Sequence, residues 1–195
     1  QTCALPISFI EAFFDEHGKT EFTGYESLVE TAKILHVSKL DEEGTYMIIT
    51  DRTPFYAESG GQQADNGVIE GNGALGQVVD VQKQKNIFMH TVKVVNGVHN
   101  FFEGAEVKLT VNESRRDAIS KNHSATHLLQ KALREILGTH VQQAGSMVAP
   151  DRLRFDFNHY EAMTDEELEK VERLVNTKIA EALPSHIEFM SMDEA

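Results

Sequence analysis

One cysteine, Cys3, stands in 195 residues, so no disulfide can close within the chain and a reducing compartment suits it. No stretch approaches the roughly 18 consecutive apolar residues that a membrane span requires, and no basic-then-apolar leader precedes a small-residue cleavage site. A cytoplasmic location without a membrane partner is the expectation. Positive charge is scarce as well: 18 Lys and Arg against 31 Asp and Glu leave a formal net charge of −13. That excludes a general nucleic-acid binder, because phosphate contacts draw on clustered cations. Any RNA contact must be local. Basic residues gather at Arg115, Arg116, Lys121, Lys131 and Arg134, and acidic ones at Asp165, Glu166, Glu167, Glu169 and Glu172; both groups also read as solvated helix faces. Gly-x-x-x-x-Gly-Lys does not occur, so nucleotide binding by a P-loop is not expected. An initiator Met is missing too, and the chain is expected to begin mid-gene. Residues 1–7, Gln-Thr-Cys-Ala-Leu-Pro-Ile, back-translate to the end of a widely used short-read sequencing adapter and are expected to be a translated artefact without bearing on the fold.

What is present is ordinary for a globular protein: 41% hydrophobic and 25% charged residues, enough to bury one sizeable core or two small ones. Residues 8–22 carry a short apolar patch (Phe9, Ile10, Phe13, Phe14) and then Asp15, Glu16, Gly18 and Lys19, which reads as a linker or the tail of a preceding region. Between 23 and 112, β-branched and aromatic runs at 32–37, 45–50, 76–81, 87–95 and 106–111 alternate with turn signals at 41–44, Asn66-Gly67, Gly71-Asn72-Gly73 and Asn96-Gly97. Short strands at this spacing predict a small barrel-like sheet. From Asn112, a plausible N-cap, the period changes: Ile119, Ala125, Leu129, Ala132, Leu133, Ile136 and Leu137 recur at helical spacing until Gly138. A hairpin is expected across Pro150-Asp151, joining 141–148 to 153–157. A second helix should open at Thr164 with Glu167 in a capping box, run to about Leu183 and stop at Pro184; a last strand is expected at 187–190. The fold class read from this order is α+β: a barrel-like subdomain over 23–112, then a helix-on-antiparallel-sheet subdomain over 113–195 that is incomplete at its C-terminus.

Three constellations carry possible chemistry. In His123-Ser124-Ala125-Thr126-His127, side chains four apart on a helix project from one face and can bring two imidazoles to one metal ion. Zinc takes roughly three or four protein ligands, so partners from elsewhere are required, and taken alone the spacing more often marks two unrelated surface or core histidines. A zinc peptidase would have Glu after the first His; Ser124 stands there, which disfavours that mechanism. Of the other histidines, His90 and His140 are candidates to approach the pair in space. The second constellation is Asp51-Arg52-Thr53-Pro54-Phe55-Tyr56-Ala57-Glu58-Ser59-Gly60-Gly61-Gln62, whose paired glycines let backbone N–H groups approach a ligand or simply make a tight loop at a barrel rim. The third, Gln142-Gln143-Ala144-Gly145-Ser146, sets two glutamines at the start of a strand, where each needs a partner, a substrate or water.

Together these residues resemble the editing domain of bacterial alanyl-tRNA synthetases. Phe22-Thr23-Gly24-Tyr25, the Asp51 to Gln62 run, Asn122-His123-Ser124-Ala125-Thr126-His127-Leu128-Leu129, Leu153-Arg154-Phe155-Asp156-Phe157 and Leu174-Val175-Asn176 occur in the family's order across residues 20–195. The resemblance implies hydrolysis of the ester in tRNA for alanine mischarged with serine or glycine, at a zinc site whose pattern is His-x-x-x-His followed later by Cys-x-x-x-His. His123 and His127 match the first pair as metal ligands; the remaining Cys and His are expected beyond Ala195. Gln143 matches a glutamine of the editing pocket, and Thr126, between the ligands, is placed to touch the mischarged side chain; these two are the catalytic candidates. Gly60, Gly61 and Gln62 are the substrate-binding candidates. Attachment of alanine with ATP belongs by resemblance to an upstream part of a parent ligase, so ATP is a cofactor of the parent only, the partner is the acceptor end of tRNA for alanine, and no protein partner is inferable.

Two rivals stand beside this reading. A free-standing alanyl-tRNA editing protein would share fold and chemistry, but such proteins tend to carry Pro-Glu-Gly-Gly-Gly where this chain has Ala57-Glu58-Ser59-Gly60-Gly61. A catalytically inert RNA-binding or partner-binding fragment is the other, since two of four ligands hold zinc weakly. The isolated chain is therefore expected to be inactive.

Overall fold

A computed structural model describes residues 6–41 and 43–184. In chain order it contains α1 (Ile7–His17), β1 (Glu21–Phe22), β2 (Val29–Lys39), β3 (Thr45–Thr50), β4 (Arg52–Thr53), β5 (Gly67–Gly71), β6 (Ala74–Gln84), β7 (Ile87–Asn96), β8 (Glu106–Val111), α2 (Glu113–Leu137), β9 (Gln143–Val148), β10 (Leu153–Phe157) and α3 (Asp165–Ala180). Six antiparallel strands close a barrel in the order β2-β3-β7-β6-β5-β8, and the strand β8 returns to pair with β2. The fold is α+β, with a small barrel followed by helices on an antiparallel hairpin.

The barrel closes because alternate residues of each strand point inward. Ile34, Ile48, Ile69, Val81, Val92 and Leu109 are fully buried on that inner face, and burying each aliphatic side chain of this kind stabilises by about 1.5–3 kcal/mol. Five of the six strands coincide with runs anticipated from the sequence. The sixth, β5, is a five-residue Gly-Val-Ile-Glu-Gly segment whose glycine ends hide its strand character. Its hairpin to β6 turns on Asn72 and Gly73, both at positive φ, a two-residue turn whose twist matches paired strands. The hairpin from β6 to β7 uses Lys85 and Asn86 in the same conformation without any glycine.

His90 sits inside this barrel rather than near the histidine pair. It is fully buried; its Nδ1 donates to the Ile48 carbonyl at 2.9 Å and its Nε2 accepts from the Thr53 hydroxyl at 2.8 Å. Burial pushes its pKa down to about 4 from an ordinary 6.5. Below pH 6.5 the unfolded chain therefore takes up a proton that the folded chain refuses until about pH 4, so stability falls with acidification through that window. The loss expected from His90 is about 3 kcal/mol. In urea titrations from pH 7 to pH 4, His90→Leu should be less stable at neutrality but lose less on acidification than the parent. An unchanged pH slope in the variant would refute the assignment.

The segment read as a linker or the tail of a preceding region contains a helix. Helix α1 lays Ile10 and Phe13 on Ile49 and Ile87 of the barrel exterior, with Phe9, Leu35 and Met89 packed around them. The apolar patch read as a tail is thus an amphipathic face with a partner. The expected artefact lies mostly outside the described residues; of it only Pro6 and Ile7 are described, at the start of this helix.

Helix α2 follows the sequence closely: Asn112 accepts from the Arg115 N–H as N-cap, and Gly138 ends the run. Its C-terminal half packs Ala132 and Leu133 against Val141 and against Val171 of α3. The hairpin β9–β10 pairs Val148 with Leu153 as anticipated. The Thr164–Glu167 capping box is present, but α3 ends at Ala180, short of the expected Leu183. The strand expected at 187–190 lies outside the described residues. No helix among the described residues is long and apolar enough to cross a membrane.

Candidate functional site

Helix α2 turns about 100° per residue, which places Arg116, His123 and His127 within about 40° of one another around its axis. That stripe faces the glycine loop of the barrel. His123 is half-buried and His127 exposed, and their rings stand side by side with centroids 5.0 Å apart and planes 19° from parallel. The His123 Nδ1 lies 2.6 Å from Oε1 of Gln62 in the loop. Partial burial, and secondarily the neighbouring His127, hold the His123 pKa below its ordinary value.

The loop between Tyr56 and Asp65 is fastened at both ends. At its base the Tyr56 N–H donates to the Asp65 carboxylate at 2.7 Å and the Asp65 N–H returns to the Tyr56 carbonyl at 3.0 Å. Arg116 of α2 clamps that base: its Nε reaches both Asp65 oxygens at 3.0 Å, Nη1 the Gly24 carbonyl at 2.7 Å and Nη2 the Pro54 carbonyl at 2.8 Å. At the tip, the Val148 N–H donates to the Gly61 carbonyl at 2.8 Å and the Gln63 N–H to the Val148 carbonyl at 3.0 Å, so the loop adds alongside β9. A Cβ on Gly61, at φ +84°, would fall 2.3 Å from the Ser146 carbonyl oxygen.

The same tip reaches Gln143. The Gln143 side-chain amide donates to the Ser146 hydroxyl at 3.0 Å, which itself donates to the Gly60 carbonyl at 3.4 Å. Gln143 pairs with Phe157 and Gly145 with Asp156, leaving Ala144 as a bulge beside Gln143. A bulge re-aims the neighbouring side chain, and nothing in the local sequence announces it. Gly60, Gly61, Gln62, His123 and Gln143, which are far apart in the chain, therefore share one hydrogen-bonded neighbourhood.

Thr126 is placed differently: it is buried, and its hydroxyl donates to the Asn122 carbonyl at 2.8 Å, back into its own helix. Asn122, not singled out by its residue type, donates to the Ala149 carbonyl at 2.7 Å and so ties the helix to the end of β9. His140 stays apart from the pair, bonded to His159 Nδ1 at 2.9 Å and stacked on Tyr160. Arg116, considered as part of a local basic patch, is spent on buried Asp65 and leaves no charge for RNA. Among the described residues no group of three or more His, Cys, Asp or Glu side chains is arranged to hold a metal. The two imidazoles side by side on one helix face are donors of the type zinc takes, two of the roughly three or four it needs.

A family model described as "tRNA synthetases class II (A)" matches residues 8–115, which are α1, the whole barrel and the first residues of α2. The chain belongs to this synthetase family. Its similarity continues through the histidine helix: it is 52% identical to the alanine–tRNA ligase of Fusobacterium nucleatum over 96% of this chain. It is 48% identical to that of Acetivibrio thermocellus over 93%, and 44% identical to that of Thermotoga maritima over 91%. The chain spans about a fifth of the length of these relatives, 21% in each case.

Proposed function

We propose that this synthetase segment is an editing region, and that it hydrolyses the ester of tRNA for alanine carrying serine or glycine, with His123 and His127 as two ligands of a zinc ion. The observation that carries the reading is the side-by-side imidazole pair on α2, with one ring bonded to Gln62 of the glycine loop. A Cys and a His outside the 195 residues are proposed as the other ligands. Zinc, when bound, supplies positive charge that stabilises the negative charge developing on the ester oxygen.

The chain's own residues are assigned the discrimination of serine from alanine. Gln143 commits its amide nitrogen to Ser146 and leaves Oε1 to accept from the hydroxyl of a serine ester. Alanine lacks that hydroxyl, and sites built to bond a polar group discriminate far better than pockets sensing one methylene. The loop from Gly60 to Gln62 is proposed to receive the terminal ribose. Thr126, between the histidines in sequence, is buried and would contact a substrate only after its hydroxyl leaves Asn122. Attachment of alanine to tRNA with ATP, in the cytoplasm, is proposed for the whole ligase; no residue of this segment is assigned to it.

In the full-length ligase carrying this segment, His123→Ala combined with His127→Ala should slow deacylation of serine-charged tRNA by on the order of 100-fold or more, with alanylation retained. Deacylation at the parent rate would remove the reading. The 195-residue chain by itself, with half of the donor set, should show no metal-dependent deacylation.

A further inference from the structure

The side chain of Gln62, a substrate-binding candidate in the sequence, lies against His123. It is buried, 7% exposed, and directs Oε1 at His123 Nδ1 from 2.6 Å. We propose that Gln62 is a positioning residue that decides which nitrogen of His123 faces the site, an inference that rests on His123 acting as a metal ligand as proposed above.

A carbonyl oxygen only accepts, so Nδ1 must carry the proton and donate. The neutral ring then keeps its lone pair on Nε2, the one nitrogen able to bind a cation. Ligating histidines are generally oriented in this way by an acceptor on their other nitrogen. The acceptor here is rigidly presented. The Gln62 backbone exchanges hydrogen bonds with Ser59 at 3.0 and 3.3 Å, and on either side Gly61 and Gln63 are bonded to Val148. Gln63 reinforces the same contact by accepting from Arg115 of α2 at 3.0 Å. The barrel loop thus fixes not only where the His123 ring lies but which edge it shows, and the short approach depends on Gly61, since a Cβ there would meet Ser146.

A purely structural tie through the same bond would fix the tautomer as well but would not make zinc affinity follow the acceptor, and this separates the two roles. Long-range ¹H–¹⁵N correlation spectra of the metal-free chain should show His123 in the Nδ1–H form in the parent and in Gln62→Glu, which keeps an acceptor. In Gln62→Leu the Nε2–H form should appear. Zinc competition with a chromophoric chelator, on the full-length ligase, should show affinity lowered about 10–100-fold by Gln62→Leu and largely kept by Gln62→Glu. An Nε2–H ring in the parent, or a tautomer unmoved by Gln62→Leu, would overturn the proposal. If instead the tautomer shifts as stated while the His123→Ala, His127→Ala ligase binds zinc as tightly as the parent, Gln62 keeps its role and the metal reading of the pair is what fails.

Discussion

Arg116→Met is expected to destabilise the chain by about 3–5 kcal/mol, because it leaves a buried carboxylate without its counter-charge. Asp65 is 1% exposed and the Arg116 side chain 16%, so water cannot replace the lost partner without opening the loop base. Three further acceptors lose a donor at once or are left to a smaller group: the second carboxylate oxygen and the Gly24 and Pro54 carbonyls. Arg116→Lys should recover less than half of the loss, since an ammonium cannot span a planar fork of four acceptors. Adding Asp65→Asn to Arg116→Met should be less harmful than Arg116→Met alone, because it removes the stranded charge. Urea titrations of the four proteins measure this. A loss below about 1 kcal/mol for Arg116→Met would mean that the ion pair is screened like an exposed one. Against a typical domain stability of about 5–15 kcal/mol, the expected loss is large enough to unfold much of the population at moderate urea.

Gly61→Ala should cost about 2–4 kcal/mol, while Gly60→Ala, one residue away, should cost about 1. Both glycines have positive φ, so both substitutions carry the conformational cost of a left-handed residue. Only Gly61 has a neighbour in the way, with the new Cβ 2.3 Å from the Ser146 carbonyl oxygen; a Cβ on Gly60 meets nothing within 4 Å. Backbone cannot be displaced as cheaply as the end of a flexible side chain, so the loop tip should lift from β9. Amide exchange at Val148, whose N–H is held by Gly61, should accelerate in Gly61→Ala and stay slow in Gly60→Ala. Equal effects of the two substitutions would show that the close approach is not what holds the tip.

Local signals were reliable wherever one short stretch determines the outcome. Asn112 as a cap, the Thr164–Glu167 box, the turn at Asn72-Gly73, the β-branched run of β3 and the alternation within β8 all depend on near neighbours. Errors fell where a distant partner decides. Helix α1 reads as a connecting tail because its apolar face is meaningful only against Ile49 and Ile87. The strand β5 is too short and glycine-flanked to declare itself, and is held by β6 and β8. Arg116 looked like a surface cation because Asp65, its buried partner, lies 51 residues earlier.

By itself the chain's residue order determined the α+β class, the limits of most elements, and that His123 and His127 share a helix face, because periods of two and about 3.6 are properties of single segments. Only the tertiary structure decided that the glycine loop packs on that face, that the Gln62 side chain meets His123, and that His90 belongs to the barrel interior. Those outcomes depend on burial and on hydrogen-bond partners far away in sequence. Short segments specify their own backbone conformation, but which polar groups must satisfy one another is settled only when the barrel and the helix exclude water between them.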